Sequence, residues 1–361
     1  MLQKLRLIET HRTSLEKCVF CPKLCRASCP VSNEEANETV TPWGKMSLVS
    51  FVSKGAVPLD EQYGAPSWAC SGCYACKERC DHHNDVAQVL MDARAEMFAA
   101  GVAPKTAQNV ANSRARRVED LNHRVSGLGT RPAKTGVLIG CGYIQHAPEV
   151  ARDAIAAVEA ISGEPIAAIG GCCGLDLYYA GDRAAFLDNA AHMLDALKRY
   201  SRVVVVDPGC ARALSVEYQR MGLAVPKIEL FVDVALGSAR LNRSVPTHER
   251  VRYHDPCQLG RGLNRFDEPR NLIARITGNR PEEFMRSREW AECSGGGGLL
   301  PLTRTRTSDA MSDARIREHR QLGGGRLVTG CAQSLRRFRK SGEAAVDLVS
   351  LVASALVLVK S

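Results

Sequence analysis

Two short runs of four cysteines near the N-terminus limit what this chain can fold into more than any other feature. Cys18, Cys21, Cys25 and Cys29 lie within a dozen residues, and Cys70, Cys73, Cys76 and Cys80 repeat the pattern. Spacings this short disfavour disulfides within a run, whereas they let a loop wrap soft thiolates around one inorganic group. The whole chain of 361 residues holds 15 cysteines, an odd number in a large protein. A disulfide framework is therefore disfavoured and a reducing compartment fits: the cytoplasm, including the inner face of a membrane. Zn also takes four thiolates. Zn ribbons, however, separate two cysteine pairs by a longer stretch, so the compact quartets point to iron–sulfur.

A Cys-x2-Cys-x2-Cys loop curls around one [4Fe–4S] cube, and in two-cluster ferredoxins a remote cysteine completes it. The second quartet has that spacing, and the first is one residue longer at Cys25. The exchange rule then gives one cube to Cys18, Cys21, Cys25 and Cys80, and the other to Cys70, Cys73, Cys76 and Cys29. Pro30 follows Cys29 as in ferredoxins, but Asp81 follows Cys80. The expectation is a helical, two-cluster ferredoxin-like domain over residues 1–100. Within it Thr41-Pro42-Trp43-Gly44 reads as a turn before the apolar run Met46–Val52. Residues 85–100 read as a helix stopped by Gly101. Residues 101–133, polar and Arg-rich, read as a helical linker.

Beyond residue 134 strands and helices alternate, which predicts α/β domains with parallel pairing. Strands are expected at 136–139, 165–169 and 203–206, with helices at 151–161 and 184–200. Cys141, Cys172-Cys173 and Cys210 each follow a strand's C-terminal end, where open α/β sheets bind ligands. The layout recurs: 251–254 leads to Cys257, Cys293-Ser294 stands for Cys172-Cys173, and 327–329 leads to Cys331. Cys172 to Cys293 and Cys210 to Cys331 share one offset of 121 residues, and Cys141 to Cys257 lies at 116. A shared offset at independent positions marks a repeat. Two tandem domains follow, 134–240 and 248–361.

Two ferredoxin quartets followed by two cysteine-rich domains resemble the group that holds the heterodisulfide reductase D subunit and the glycolate oxidase iron–sulfur subunit. The carrying motifs are Gly171-Cys172-Cys173-Gly174, His254-Asp255-Pro256-Cys257-Gln258-Leu259-Gly260-Arg261 and Cys293-Ser294-Gly295-Gly296-Gly297-Gly298, and the likeness runs over essentially the whole chain. In heterodisulfide reductase the cysteine-rich repeat carries a tandem Cys-Cys and a later Cys-x2-Cys that hold a noncubane cluster. Here Asp207 and Val328 stand at the first position of the later pair, and Ser294 replaces the second tandem cysteine. Cys141, Cys172, Cys173 and Cys210 can complete a further iron–sulfur cluster or a Zn site. Cys257, Cys293 and Cys331 leave a position open to water, Ser294 or His254, or form a vestigial site. The resemblance implies an electron-transfer subunit that relays single electrons between a flavin-containing dehydrogenase, or an electron-transfer flavoprotein, and an acceptor such as quinone. The alternative it implies is a catalytic subunit that reduces a disulfide at the cysteine-rich domains.

Other chemistry is weakly signalled. The glycines after Cys293 lack the Gly-Lys-Ser/Thr of a phosphate loop, and are expected to let backbone N–H groups approach cluster sulfides. Asp255 and Arg261 are expected to hold the strand-end turn, and His82-His83 to be exposed. The net charge of +9 includes basic clusters at Arg114–Arg117 and Arg336–Lys340, read as solvated helix faces, with docking to an acidic redox partner or an anionic membrane surface as the functional reading. Aromatic content of 5% without a reader motif argues against nucleic acid. The start of the chain (Leu2, Leu5, Leu7 and Ile8, broken by Lys4 and Arg6) has no signal-peptide core. Residues 348–359 are too short to span a bilayer and read as a buried helix, so membrane association would come through a partner.

Overall fold

The computed structural model describes residues 5–6, 8–129, 131–241 and 249–357. The readings that rest on Leu2, Lys4 and Leu7, on the boundary between 241 and 248, and on residues 358–359 lie outside the described residues. The chain folds as two compact units. One comprises Met1–Arg114 together with Asp176–Leu187 and Glu289–Arg315, and the other comprises Ala115–Leu175, Asp188–Arg288 and Ile316–Ser361.

The first unit is helical. Helices Ile8–Val19, Pro42–Lys54 and Val86–Ala99 pack on one another through Leu15, Met46, Val49, Val52, Val89, Leu90 and Met97, all essentially inaccessible. The expected turn at Thr41–Gly44 is instead the start of a helix. Thr41 is extended and its hydroxyl accepts from the Gly44 N–H at 3.0 Å, while Pro42 occupies the first helical turn. Threonine cap and proline at the first position are a start signal, and the apolar run simply continues it. Asp85 caps Val86–Ala99 in the same way, accepting from Gln88 N at 3.1 Å.

The second unit holds two small parallel sheets. Strands β1 (Thr135–Leu138), β2 (Ile166–Ala168), β3 (Arg202–Val205) and β4 (Glu229–Leu230) are ordered β2-β1-β3-β4. Strands β5 (Val251–His254), β6 (Arg326–Thr329) and β7 (Val346–Asp347) are ordered β5-β6-β7. All pairings are parallel, with Leu138 opposite Val205 and His254 opposite Thr329. Strands β1, β3, β5 and β6 are buried nearly throughout, and helices such as Pro148–Ser162 and Leu348–Val357 pack in the same core. A parallel bridge between Arg252 and Glu282 stands where a counterpart of β2 would pair with β5. The second sheet is thus the first with its outer strand reduced to one bridge. The linker region is helical, as Lys105–Asn112 and Arg114–Ser126. Among the described residues no helix is long and apolar enough to cross a membrane.

Candidate iron–sulfur sites

In the helical unit the two quartets interleave. Cys18, Cys21, Cys25 and Cys80 line a cavity of about 200 Å³, with Cys76, Trp43 and Asn84 on its wall. Asn84 Nδ2 donates to Cys18 Sγ at 3.0 Å and to Ser14 O at 2.7 Å. Burial pushes the Cys18 thiol up to about 12 against the Asn84 hydrogen bond, and Cys25, Cys80 and Cys21 add to the rise. Burial, then Cys80 and Cys21, take Cys25 to about 11. Thiols that resist ionisation next to one another are relieved by a shared cation, and a cavity of this size exceeds what a lone ion with 2.3 Å bonds to sulfur needs. Among the described residues no group of three or more His, Cys, Asp or Glu side chains stands ready to hold a single metal ion. Leu24 on the cavity wall is 58% exposed, and Lys23 Nζ lies 3.9 Å over the Trp43 ring.

Cys29 sits with the other loop. Cys76 is raised well above its ordinary value by burial, then by Cys70, Cys73, Cys29 and Cys25, so the two groups of thiols adjoin. The sequence reading missed two buried cations here. Lys45, 2% exposed, donates to Ala69 O at 2.7 Å and reaches Cys29 Sγ at 3.7 Å. Arg94, with no exposure, donates to Ser67 O, Cys70 O, Tyr179 O and Gly298 O at 2.7–3.2 Å. Lys45 could have been found as a lone charge in an apolar run. Arg94 joins segments too far apart in sequence to signal each other.

The glycine run after Cys293 belongs to this unit and packs on the second loop's backbone. A Cβ on Gly298, whose φ is +63°, would lie 2.1 Å from Cys70 O, and one on Gly297 would lie 2.5 Å from Ser71 O. These glycines give close approach to the loop that carries Cys70, beyond the N–H donation expected from sequence. Arg304 and Thr307 anchor the same segment on Glu35 at 2.6 and 2.7 Å. Backbone N–H groups do reach sulfur at several cysteines. Lys23, Gly72, Gly174 and Gly295 each donate to the thiol two residues earlier at 3.4–3.5 Å. Such donors stabilise negative sulfur and tune clusters.

In the α/β unit Cys141, Cys172, Cys173 and Cys210 come together at the C-terminal ends of β1, β2 and β3. Cys172 Sγ is 3.8 Å from Cys141 Sγ. Cys173 is raised well above its ordinary value by hydrogen bonds with Cys172 and Cys210 and by burial. Asn189 holds the Cys172 carbonyl at 2.9 Å and Tyr218 that of Cys173 at 2.8 Å. Gly140, at φ +104°, leaves room for Asp207: a Cβ there would lie 2.6 Å from the Asp207 Cβ. Asp207 caps Pro208–Arg212, accepting from Gly209 N and Cys210 N, and also accepts from Ala332 N at 3.2 Å. Burial raises it, partly offset by these N–H groups.

The second repeat is arranged differently. Cys331 precedes Ala332–Lys340 in the α/β unit, its thiol pushed to about 12 by burial and the nearby Asp207, although the residue as a whole keeps some exposure. Val328 lies inside β6, fully buried, and Cys257 follows β5. Cys293 belongs to the helical unit. Asp255 holds Arg270 in a bidentate pair at 2.7 and 2.8 Å and accepts from Arg288 N. His254 is packed edge-on against Phe338 and Phe284, and His82 and His83 are exposed. Arg336, Arg339 and Lys340 are solvated while Arg337 is buried.

Comparison with known proteins places families on these regions. A 4Fe–4S dicluster domain matches residues 14–84, and a cysteine-rich domain matches twice, at 136–215 and 251–335. The chain is 25% identical over 334 residues to the B subunit of fumarate reductase (CoM/CoB) from Methanothermobacter marburgensis, covering 88% of this chain and 66% of that one. It is 28% identical over 205 residues to the D subunit of dihydromethanophenazine:CoB–CoM heterodisulfide reductase from Methanosarcina barkeri, covering 52% and 50%. Over 131 residues it is 28% identical to EtfAB:quinone oxidoreductase of Syntrophomonas wolfei, covering 35% and 18%. The chain thus spans two-thirds or less of the length of these relatives. It carries a helical iron–sulfur domain and two cysteine-rich domains, and is similar to the heterodisulfide reductase D subunit and to the fumarate reductase (CoM/CoB) B subunit.

Proposed function

We propose that this relative of the heterodisulfide reductase D subunit is an iron–sulfur electron-transfer protein that relays single electrons between a flavin-containing dehydrogenase and a downstream acceptor such as quinone. The observation that carries the reading is the interleaving of the quartets. Cys80 stands with Cys18, Cys21 and Cys25, and Cys29 stands beside Lys45 with Cys70, Cys73 and Cys76. Each set supplies the four thiolates of one [4Fe–4S] cube. Bound cubes supply one-electron exchange; the chain's residues bury the thiolates, aim N–H donors at sulfur and fix the distance between the two sets. The relatives include a quinone oxidoreductase named for an electron-transfer flavoprotein, which supports a flavoprotein partner and contact with a membrane through it. Anaerobic purification should yield about eight Fe and eight sulfides from the helical unit. A colourless protein with Zn and no acid-labile sulfide would reject the proposal, and co-purification from the native host should bring down a flavoprotein.

The convergence of Cys141, Cys172, Cys173 and Cys210 favours a second reading, a disulfide-reducing centre in the first cysteine-rich domain. Oxidative titration followed by low-temperature EPR separates the two. A paramagnetic signal that needs added thiol substrate would favour the catalytic reading.

A further inference from the structure

The two quartets differ in the charge that surrounds them. Around Cys18, Cys21, Cys25 and Cys80 the nearby cations Lys17, Lys23 and Arg79 are all at least partly exposed to solvent. Water screens such charges at an effective dielectric of about 80. Around Cys29, Cys70, Cys73 and Cys76 stand Lys45 and Arg94, both fully buried, where an effective dielectric of about 20 makes each charge roughly fourfold more effective. Lys45 points its ammonium at Cys29 Sγ and is held by one carbonyl, Ala69 O. Arg94 spends its donors on carbonyls that shape the loop, so its charge and its structural role cannot be separated by substitution. Lys45 can be tested cleanly.

We propose that Lys45 is a positioning charge that makes the group held by Cys29, Cys70, Cys73 and Cys76 the easier of the two to reduce, so that an electron entering the unit settles there. One electron, given by a reduced flavin or in the test by dithionite, adds one negative charge to the thiolate-bound group. The Lys45 ammonium, buried and 3.7 Å from Cys29 Sγ, stabilises that added charge. The inference rests on the assignment of the eight cysteines to two cubes.

The test is an EPR-monitored redox titration of the full-length protein, prepared anaerobically, as parent, Lys45→Met, Lys45→Gln and Lys45→Arg. The Cys21→Ser protein, which keeps only the Cys29/Cys70/Cys73/Cys76 group, identifies which signal is which. In Lys45→Met that group's midpoint should fall by at least about 59 mV, a tenfold loss of reduced form at fixed potential. Lys45→Arg should restore it, and the other midpoint should move less. Two cubes with unmoved midpoints, or a shift confined to the other signal, would overturn the inference while leaving the electron-transfer reading intact. Should Lys45→Met lose iron, Lys45→Gln is read the same way; loss of iron in both would make Lys45 structural and overturn the tuning role. A parent protein lacking two cubes' iron and sulfide would remove the premise, and the inference with it.

Discussion

The two cysteine-rich repeats share a sheet order and a cysteine spacing, yet they use the segment after the second strand in opposite ways. In the first repeat Gly171–Gly174 stays in the α/β unit and delivers Cys172 and Cys173 to Cys141 and Cys210. In the second, the strand shrinks to the Arg252–Glu282 bridge, and Glu289–Arg315, with Cys293 and its glycines, is part of the helical unit. There it lies against the backbone of Cys70 and Ser71. The corresponding loop thus gathers thiols in one copy and packs on the backbone of the second quartet's loop in the other. The absence of a second tandem cysteine at Ser294 is consistent with that difference.

That packing can be broken at Gly298. An alanine there would need φ near +63° and would place its Cβ against the Cys70 carbonyl, a combination of strain and overlap that costs more than about 4 kcal/mol where it cannot relax. Gly298→Ala should lose about half of the iron of the helical unit, about four atoms, by iron assay and by EPR. A protein with full iron content would show that the segment merely rests on the loop. In the first repeat, Cys173→Ser should leave the iron of the helical unit in place and remove any metal held by Cys141, Cys172 and Cys210. Cys293→Ser should cost little iron in either unit. Equal losses from Cys173→Ser and Cys293→Ser would erase the contrast between the repeats.

The repeat itself was legible because its strands are apolar runs and its cysteines follow them at a fixed offset. Val251–His254 was bounded to the residue, and β1, β2, β3 and β6 to within one or two. Strands β4 and β7 were missed because two residues carry no alternation to detect. The helix at Pro42 was hidden because Thr-Pro-x-Gly signals a turn as readily as a helix start until the hydroxyl's partner is known. The expected grouping of the eight N-terminal cysteines rests on their spacing and the ferredoxin exchange rule. Their electrostatic setting was not legible, since Arg94 meets Tyr179 and Gly298 only through contacts that no local pattern encodes.

The repeats also differ at their last strands. Leu230 in β4 lies opposite Val205, whereas Asp347 in β7 lies opposite Thr329. Asp347 is fully buried, accepts from Val349 N at 2.9 Å and from the Tyr143 hydroxyl at 2.8 Å, and burial lifts it to about 7. Its pKa in the fold exceeds the unfolded value near 4, so the native state holds its proton more tightly. The stability this contributes is fully present below about pH 4 and is lost as pH rises to about 7, by up to roughly 4 kcal/mol. Asp347→Asn should remove that slope. Urea midpoints of the two proteins should therefore converge or cross between pH 4 and 7, and parallel curves would show that Asp347 is ionised in the fold.

The smallest expected effect probes how far the packing of the glycine segment extends. Arg79, next to Cys80, lies 3.5 Å from the centre of the Trp290 ring, and Trp290 is 39% exposed. At such exposure a cation–π contact contributes about 0.5–1 kcal/mol, so Trp290→Leu should lower the Tm by only about 1 °C. Its value lies in where the effect falls. Glycines 297 and 298 press on the loop of Cys70, but Arg79 borders the cysteine that stands with Cys18, Cys21 and Cys25. If the segment braces both groups, chelator should extract iron from the Cys18/Cys21/Cys25/Cys80 group faster in Trp290→Leu than in the parent. The Cys70 group should keep its rate. An unchanged pair of rates would confine the brace to Cys70 and Ser71, leaving the more open of the two groups held by its own loop alone.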